Sequence, residues 1–208
     1  MKKANNSEIY HRLLEKGTAN IINTGFHNTS INEIVSSCNI PKGSFYYYFD
    51  SKEYFACCSI EHYTTTNYYH CNQVLDDTFS SPISRLRSYF ECLVKYYEKN
   101  NFMRGCLLGN LSLEMSDINA TIRQKVKVSF DKWENDIYRT LLEAIEIGEV
   151  TSTIDPRSLA SFCINSWQGA LVRMKSENTV TPLANFIDLF FTHVLVSKSS
   201  QLTQKLKA

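Results

Sequence analysis

Residues 30–49, SINEIVSSCNIPKGSFYYYF, leave the backbone few choices. Ser30 and Glu33 have the S-x-x-E spacing of a capping box, in which each side chain satisfies the other residue's backbone N–H, so a helix starts at Ser30. Ile31, Ile34 and Val35 give it one apolar side, and it stops within Ser36–Asn39. Asn39 is a residue type that tolerates the left-handed conformation of a tight interhelical turn. A second short helix then runs from about Pro41 to Phe49. Two short helices joined by a tight turn make a helix-turn-helix.

Five consecutive aromatic residues, Phe45 to Phe49, cannot all face one core. At about 100° per residue, Phe45, Tyr48 and Phe49 share one side, and Tyr46 and Tyr47 lie opposite. The first set is expected to pack against the two helices before it. The second set, with Lys42 and Ser44, points outward, and Gly43 lets another backbone come close. Such a surface suits a DNA groove. Phosphates favour the N–H groups at a helix start. Tyrosine hydroxyls and Lys52 can hold backbone oxygens, while Lys42 can reach guanine edges. The bland alternative is that Tyr46 and Tyr47 pack on a neighbouring helix. Upstream, Ile9, Leu13, Gly17 and Ile21 mark a first helix that closes near Gly25. Downstream, Asp50-x-x-Glu53 reads as a second capping box opening a long helix near 52–74, within which the boundary to a larger helical unit falls.

The rest of the chain is also helical in pattern. Only seven glycines and four prolines punctuate 208 residues, and few segments alternate like strands. Ser81-Pro82, Asp155-Pro156 and Thr181-Pro182 each pair a capping residue with a first-turn proline, predicting helix starts near 82, 156 and 182. Apolar steps of three and four run through Ile83–Tyr97 and Ile122–Ile145, the latter ending near Gly148, and through Leu159, Phe162, Trp167, Ala170 and Met174. Leu183–Val196 is apolar nearly all round, which calls for a deep core position or, the reading we favour, a subunit interface.

Composition excludes several classes. The net charge of +1 does not advertise a nucleic-acid binder, although a few placed cations can serve a short site. No signal peptide and no stretch of about 20 apolar residues are visible, so no membrane partner is expected. Seven cysteines, an odd number without C-x-x-C, argue against a disulfide framework or zinc ribbon and for free thiols in a reducing cytoplasm. There is no Gly-rich phosphate loop, H-E-x-x-H or G-x-S-x-G, so no enzyme, cofactor or metal is expected.

The stretch GFHNTSINEIVSSCNIPKGSFYYYFDSKEYF, within residues 7–60, resembles the DNA-binding region of the TetR family of bacterial transcriptional repressors. The resemblance implies an all-α chain: a three-helix helix-turn-helix DNA-binding domain (1–52), a larger helical ligand-binding and dimerisation domain (53–197), and a flexible tail (198–208). It implies a homodimer on double-stranded operator DNA, released by a small-molecule inducer, with 156–177 and 182–197 as the dimerising helix pair. By position, Lys42, Gly43, Ser44 and Tyr46 would face bases, and Thr29, Ser30, Tyr47 and Lys52 would hold phosphates. Asn39 stands where the family usually has Gly, and Tyr48 where many members have His.

RGCLLGNLSLEMSD, residues 104–117, resembles a TetR subfamily with G-C-L-x-x-N that includes electrophile- and oxidant-sensing repressors. There Cys106 matches the modified cysteine, and Lys175 resembles a lysine that partners it in some members. Arg104 and a helix start beside Cys106 would favour its thiolate. The alternative is a packed core thiol, the role we assign to the other six cysteines. A rival signal is a noncovalent ligand in an apolar pocket lined by Phe90, Tyr97, Trp133 and Trp167, each of which is otherwise a core residue.

Overall fold

The computed structural model describes residues 8–66, 69–150 and 154–195, apart from the side chains of 69 and 70. Among the described residues there are ten α-helices and no β-strand. They are α1 (Glu8–Thr24), α2 (Ile31–Ser37), α3 (Lys42–Tyr48), α4 (Lys52–Thr66), α5 (Tyr69–Leu75), α6 (Pro82–Lys99), α7 (Leu107–Met115), α8 (Ala120–Glu146), α9 (Pro156–Glu177) and α10 (Thr181–Leu189), the last continuing into a π-helical turn (Phe190–Val194). The chain divides into two compact units, Met1–Tyr69 with Arg104–Phe130, and His70–Met103 with Asp131–Ala208. The expected tail, 198–208, and the end of the expected 182–197 helix lie outside the described residues. No helix of the described residues is long and apolar enough to cross a membrane.

Most helix ends follow from local chemistry. Ser81 Oγ accepts from Ser84 N–H, and Asp155 caps α9 through Ser158 N–H at 2.9 Å. Two starts differ from the sequence reading. Ser51, not Asp50, caps α4, its Oγ accepting from Tyr54 N–H at 3.0 Å. Thr181 is inside α10 rather than capping it. Asn178 ends α9 in the left-handed conformation, and Val180 takes the N-cap position of α10 with no side-chain cap bond, while Thr179 Oγ1, two residues before Thr181, lies 3.4 Å from its N.

In the first unit, Leu13, Leu14, Ile21, Ile34, Phe45, Phe49 and Phe55 are buried together with Leu107, Leu108 and Leu111 of α7. Gly17 lets α1 come this close. A Cβ there would sit 2.4 Å from Phe55 Cζ and 3.0 Å from Ile34 Cγ2.

In the second unit, Phe90, Trp167 and Phe186 form a ring triangle with centroids 4.9–5.3 Å apart. The buried face of α9 runs through Leu159, Ala160, Cys163, Ile164, Trp167, Leu171 and Met174. Phe162, which the three-four spacing put on that face, is instead 50% exposed, because Cys163 and Ile164 occupy the buried side. Arg85 is buried, donating to the Leu75 carbonyl at 2.9 Å and pairing with Glu143.

Cys71 of α5 and Cys92 of α6 form a disulfide with Cα atoms 5.8 Å apart. This corrects the expectation of seven free thiols. A cysteine count carries no information on which thiols meet when 21 positions separate them.

Gly17→Ala should destabilise the chain by about 1–3 kcal/mol through overpacking. Alanine's helix preference of roughly 1 kcal/mol over glycine would not offset a clash with a fully buried ring. A urea titration checks this, and an unchanged midpoint would contradict the packing described.

Candidate nucleic-acid interface

The interface is built on a short helix that cannot hold its own orientation. A seven-residue helix is too short to be stable alone. Phe45 and Phe49 anchor α3. Both are fully buried, with Phe49 stacked on Tyr10 of α1 at 5.2 Å and edge-on to Phe55 of α4 at 4.9 Å. Tyr48 is half-buried, 6.1 Å from Tyr10. The opposite side is therefore turned outward, with Tyr46 49% and Tyr47 61% exposed.

The turn before it is closed by Asn39 at φ 54°, with Ile40 N–H returning to the Val35 carbonyl at 3.1 Å. Lys42 and Gly43 are exposed and Ser44 is half-buried. Among the described residues nothing lies within 4 Å of a Cβ built on Gly43. The described residues thus give no packing reason for glycine there, and the space beside it is open on the α3 face.

α2 starts as its sequence dictates. Ser30 Oγ accepts from Glu33 N–H at 3.1 Å, and Glu33 accepts from Ser30 N–H at 2.6 Å. Those bonds hold the exposed Glu33 carboxyl below the ordinary carboxylate value, the backbone bond from Ser30 contributing most. Ser30 Oγ uses an acceptor site in this cap and keeps its O–H to donate. Thr29 differs. It is 1% exposed, and its hydroxyl donates to the Gly25 carbonyl at 2.7 Å, inside the α1–α2 connection. Lys52 is half-buried, its Nζ 4.3 Å from the centre of the Phe26 ring and 3.5 Å from the His27 carbonyl. Burial lowers its pKa, opposed by Glu53, Glu114 and Glu33.

Two residues that sequence reasoning missed connect this region to α7. Asn110 donates to the Ile22 carbonyl at 3.3 Å, and Glu114, one turn on, accepts from His27 N–H at 3.2 Å. Gly25, at φ 90°, makes room for that carboxylate, 3.0 Å from where a Cβ would be. The G-C-L-x-x-N pattern contained the signal: a Cβ on Gly105 would lie 3.1 Å from Asn110 Oδ1, so this glycine and asparagine belong to one packing unit. Cys106, between them, is the N-cap of α7 and 3% exposed.

The other candidate residues lie in the second unit. Phe90, Tyr97 and Trp167 come together and are closed off, each 0–1% exposed. Trp133 is buried on α8, and Lys175 is exposed on α9. Burial raises the thiols of Cys57, Cys58 and Cys163. Among the described residues no group of three or more His, Cys, Asp or Glu could hold a metal ion.

Residues 13–55 match the family model for bacterial regulatory proteins of the tetR family, and residues 82–190 match the tetracyclin repressor-like C-terminal domain. The HTH-type transcriptional repressor DhaR of Mycobacterium sp. (strain GP1) is 31% identical over 91% of this chain and 93% of its own length. The HTH-type transcriptional repressor NemR of Escherichia coli (strain K12) is 25% identical over 89% of this chain and 93% of its own. Among solved structures, a TetR regulatory protein from Rhodobacter sphaeroides superimposes with a TM-score of 0.86 at 30% identity, covering 91% of this chain and all of that one. The reduced form of E. coli NemR has the same fold, with a TM-score of 0.81 over 91% of this chain and 98% of that one.

Ser30→Ala should cost about 1 kcal/mol by removing the cap. The Glu33 half of the box has a pH signature. Its folded pKa lies below its ordinary value of 4.5, so its contribution is present above that value and is lost as pH falls through the folded pKa. Urea midpoints measured from pH 7 down to acid should therefore fall less steeply for Glu33→Gln than for wild type. Parallel curves would contradict the cap.

Proposed function

The chain belongs to the TetR family of bacterial transcriptional regulators, and on that premise we propose that it is a cytoplasmic, homodimeric repressor released from its operator when the regulatory region is modified or bound by a small molecule. The observation that carries the DNA-binding role is α3. Its inward rings are locked by α1 and α4, while Lys42, Gly43, Ser44, Tyr46 and Tyr47 line the face left open. In this reading residues 1–52 contact DNA and 53–197 carry regulation and pairing.

Lys42, Ser44 and Tyr46 would read base edges, with Gly43 allowing close approach. Tyr47 and Ser30 would donate to phosphates, and Lys52 would add charge from beside Phe26. Thr29 would act by position, since its hydroxyl is committed to the Gly25 carbonyl. Two copies would present α3 to successive major grooves, about 34–36 Å apart. Exposed Phe162 and Leu189 flank a groove of about 590 Å³ between α9 and α10, which supports these helices as the pairing surface.

Release needs a signal that favours the state unable to bind, because only differential affinity shifts a population. Cys106 is the candidate. Adding an electrophile to a thiol that is 3% exposed forces α7 to move. α7 holds the α1–α2 connection through Asn110 and Glu114, so movement there disturbs the placement of α2 and α3. A second reading, a noncovalent aromatic or apolar ligand, is favoured by Trp167, whose buried indole N–H has no acceptor among the described residues. A catalytic role leaves the open α3 face unexplained; a protein-only adaptor would use it as a protein contact, and DNA binding that is lost on substitution of Lys42 or Tyr46 separates that adaptor from the repressor.

Fluorescence anisotropy on operator DNA, at one fixed salt concentration, tests both parts. Tyr47→Phe should weaken binding about fivefold for every sequence, the worth of one hydrogen bond. A changed base preference would contradict its phosphate role. A thiol-reactive electrophile should release wild type and leave Cys106→Ser bound. Release of both proteins would move the signal away from Cys106.

A further inference from the structure

We propose that Cys71 and Cys92 form a reversible dithiol–disulfide site that takes two-electron oxidants of the peroxide class, separate from Cys106. All seven cysteines lie within the described residues, and Cys92 is the one not buried. Cys71, its partner, is 3% exposed. In the bonded state Cys92 is thus the side open to an oxidant and Cys71 the covered one, which assigns Cys92 as the attacking and Cys71 as the resolving thiol. The Cα separation of 5.8 Å is within the range a disulfide spans without moving the backbone. Elsewhere the thiols face other constraints, since burial makes Cys57, Cys58 and Cys163 poorer nucleophiles.

The reaction balances. The Cys92 sulfur attacks one peroxide oxygen, the O–O bond breaks, and a sulfenic acid forms as water leaves. The Cys71 sulfur then attacks the Cys92 sulfur, the S–O bond breaks, and a second water leaves as the S–S bond forms. Two thiols lose two electrons and two protons, and one hydrogen peroxide becomes two waters. Two cellular thiols reverse the step by successive exchange, the first forming a mixed disulfide and the second releasing it as their own disulfide.

Two features make this a switchable bond. Disulfides in a reducing cytoplasm are transient or redox-sensing, an argument that rests on the cytoplasmic repressor reading above. The bond also acts on a weak element. α5 has seven residues, too few to persist alone, and is held at its C-terminal end by Arg85 on the Leu75 carbonyl. The disulfide supplies a second tether, nearer the N-terminal end of α5 and only a few residues after α4 in the chain.

The test starts from fully reduced protein. Wild type, Cys106→Ser and Cys92→Ser are titrated with hydrogen peroxide, remaining thiols are capped with iodoacetamide, and the peptides are weighed. We expect one Cys71–Cys92 linked peptide per chain in wild type and Cys106→Ser, none in Cys92→Ser, and full reversal by dithiothreitol. Oxidation should raise the melting temperature of wild type by about 5–10 °C, as closing a loop of this size implies. Cys71 and Cys92 both staying alkylated while other thiols oxidise would overturn the proposal. So would a bond that dithiothreitol cannot open in the folded chain. The wild-type peptide map decides the matter even if Cys92→Ser folds poorly. DNA binding measured on the same samples keeps the outcomes separate, because lost operator binding in the reduced protein would count against the repressor, not against the thiol chemistry.

Discussion

The aromatic contact among Tyr10, Phe45, Phe49 and Phe55 is what the rest of the DNA-binding unit depends on. α2 and α3 are each seven residues long and draw little stability from their own hydrogen bonds. Stacking Phe49 on Tyr10 and setting Phe55 edge-on to it fixes α3 in rotation as well as position. Rotation is the functional variable, because it determines that Tyr46 and Tyr47 emerge and Phe45 does not. Gly17 is part of the same constraint, since the Phe55 ring occupies the space its side chain would need.

α7 gives this unit a second point of control. Asn110 and Glu114 bond to backbone atoms at the end of α1 and in the connection to α2. The motif around Cys106 therefore has a structural reason to exist whether or not the thiol reacts: Gly105 leaves room for Asn110, and Asn110 holds α1. A reactive cysteine within such a motif would act on the reading helices through a short series of contacts, all in one compact unit.

The parts of this account that were legible in the sequence are local. The Ser30–Glu33 box, the left-handed Asn39 and the division of the five rings each depend on residues within one or two turns of one another, so spacing is enough to read them. The box and the left-handed Asn39 are present as read; of the inward rings Phe45 and Phe49 are buried, against α1 and α4, while Tyr48 is half-buried. What escaped depends on distance. Asn110 meets the Ile22 carbonyl across 88 positions, and Cys71 meets Cys92 across 21, and no periodicity encodes either meeting. Smaller misses came from competition between neighbours. Ser51 outcompeted Asp50 as the cap of α4, and Cys163 with Ile164 took the buried face that Phe162 was expected to share.

The most direct test of the central claim is a selection of genomic fragments of the source organism by the purified, reduced protein at fixed salt, followed by sequencing of what is retained. The account predicts enrichment of an inverted repeat whose half-sites are centred about one helical turn, or a small multiple of it, apart, bound at least about 10³-fold more tightly than random DNA. Retention without any enriched sequence would contradict it, because the open face of α3 would then make no base-specific contact.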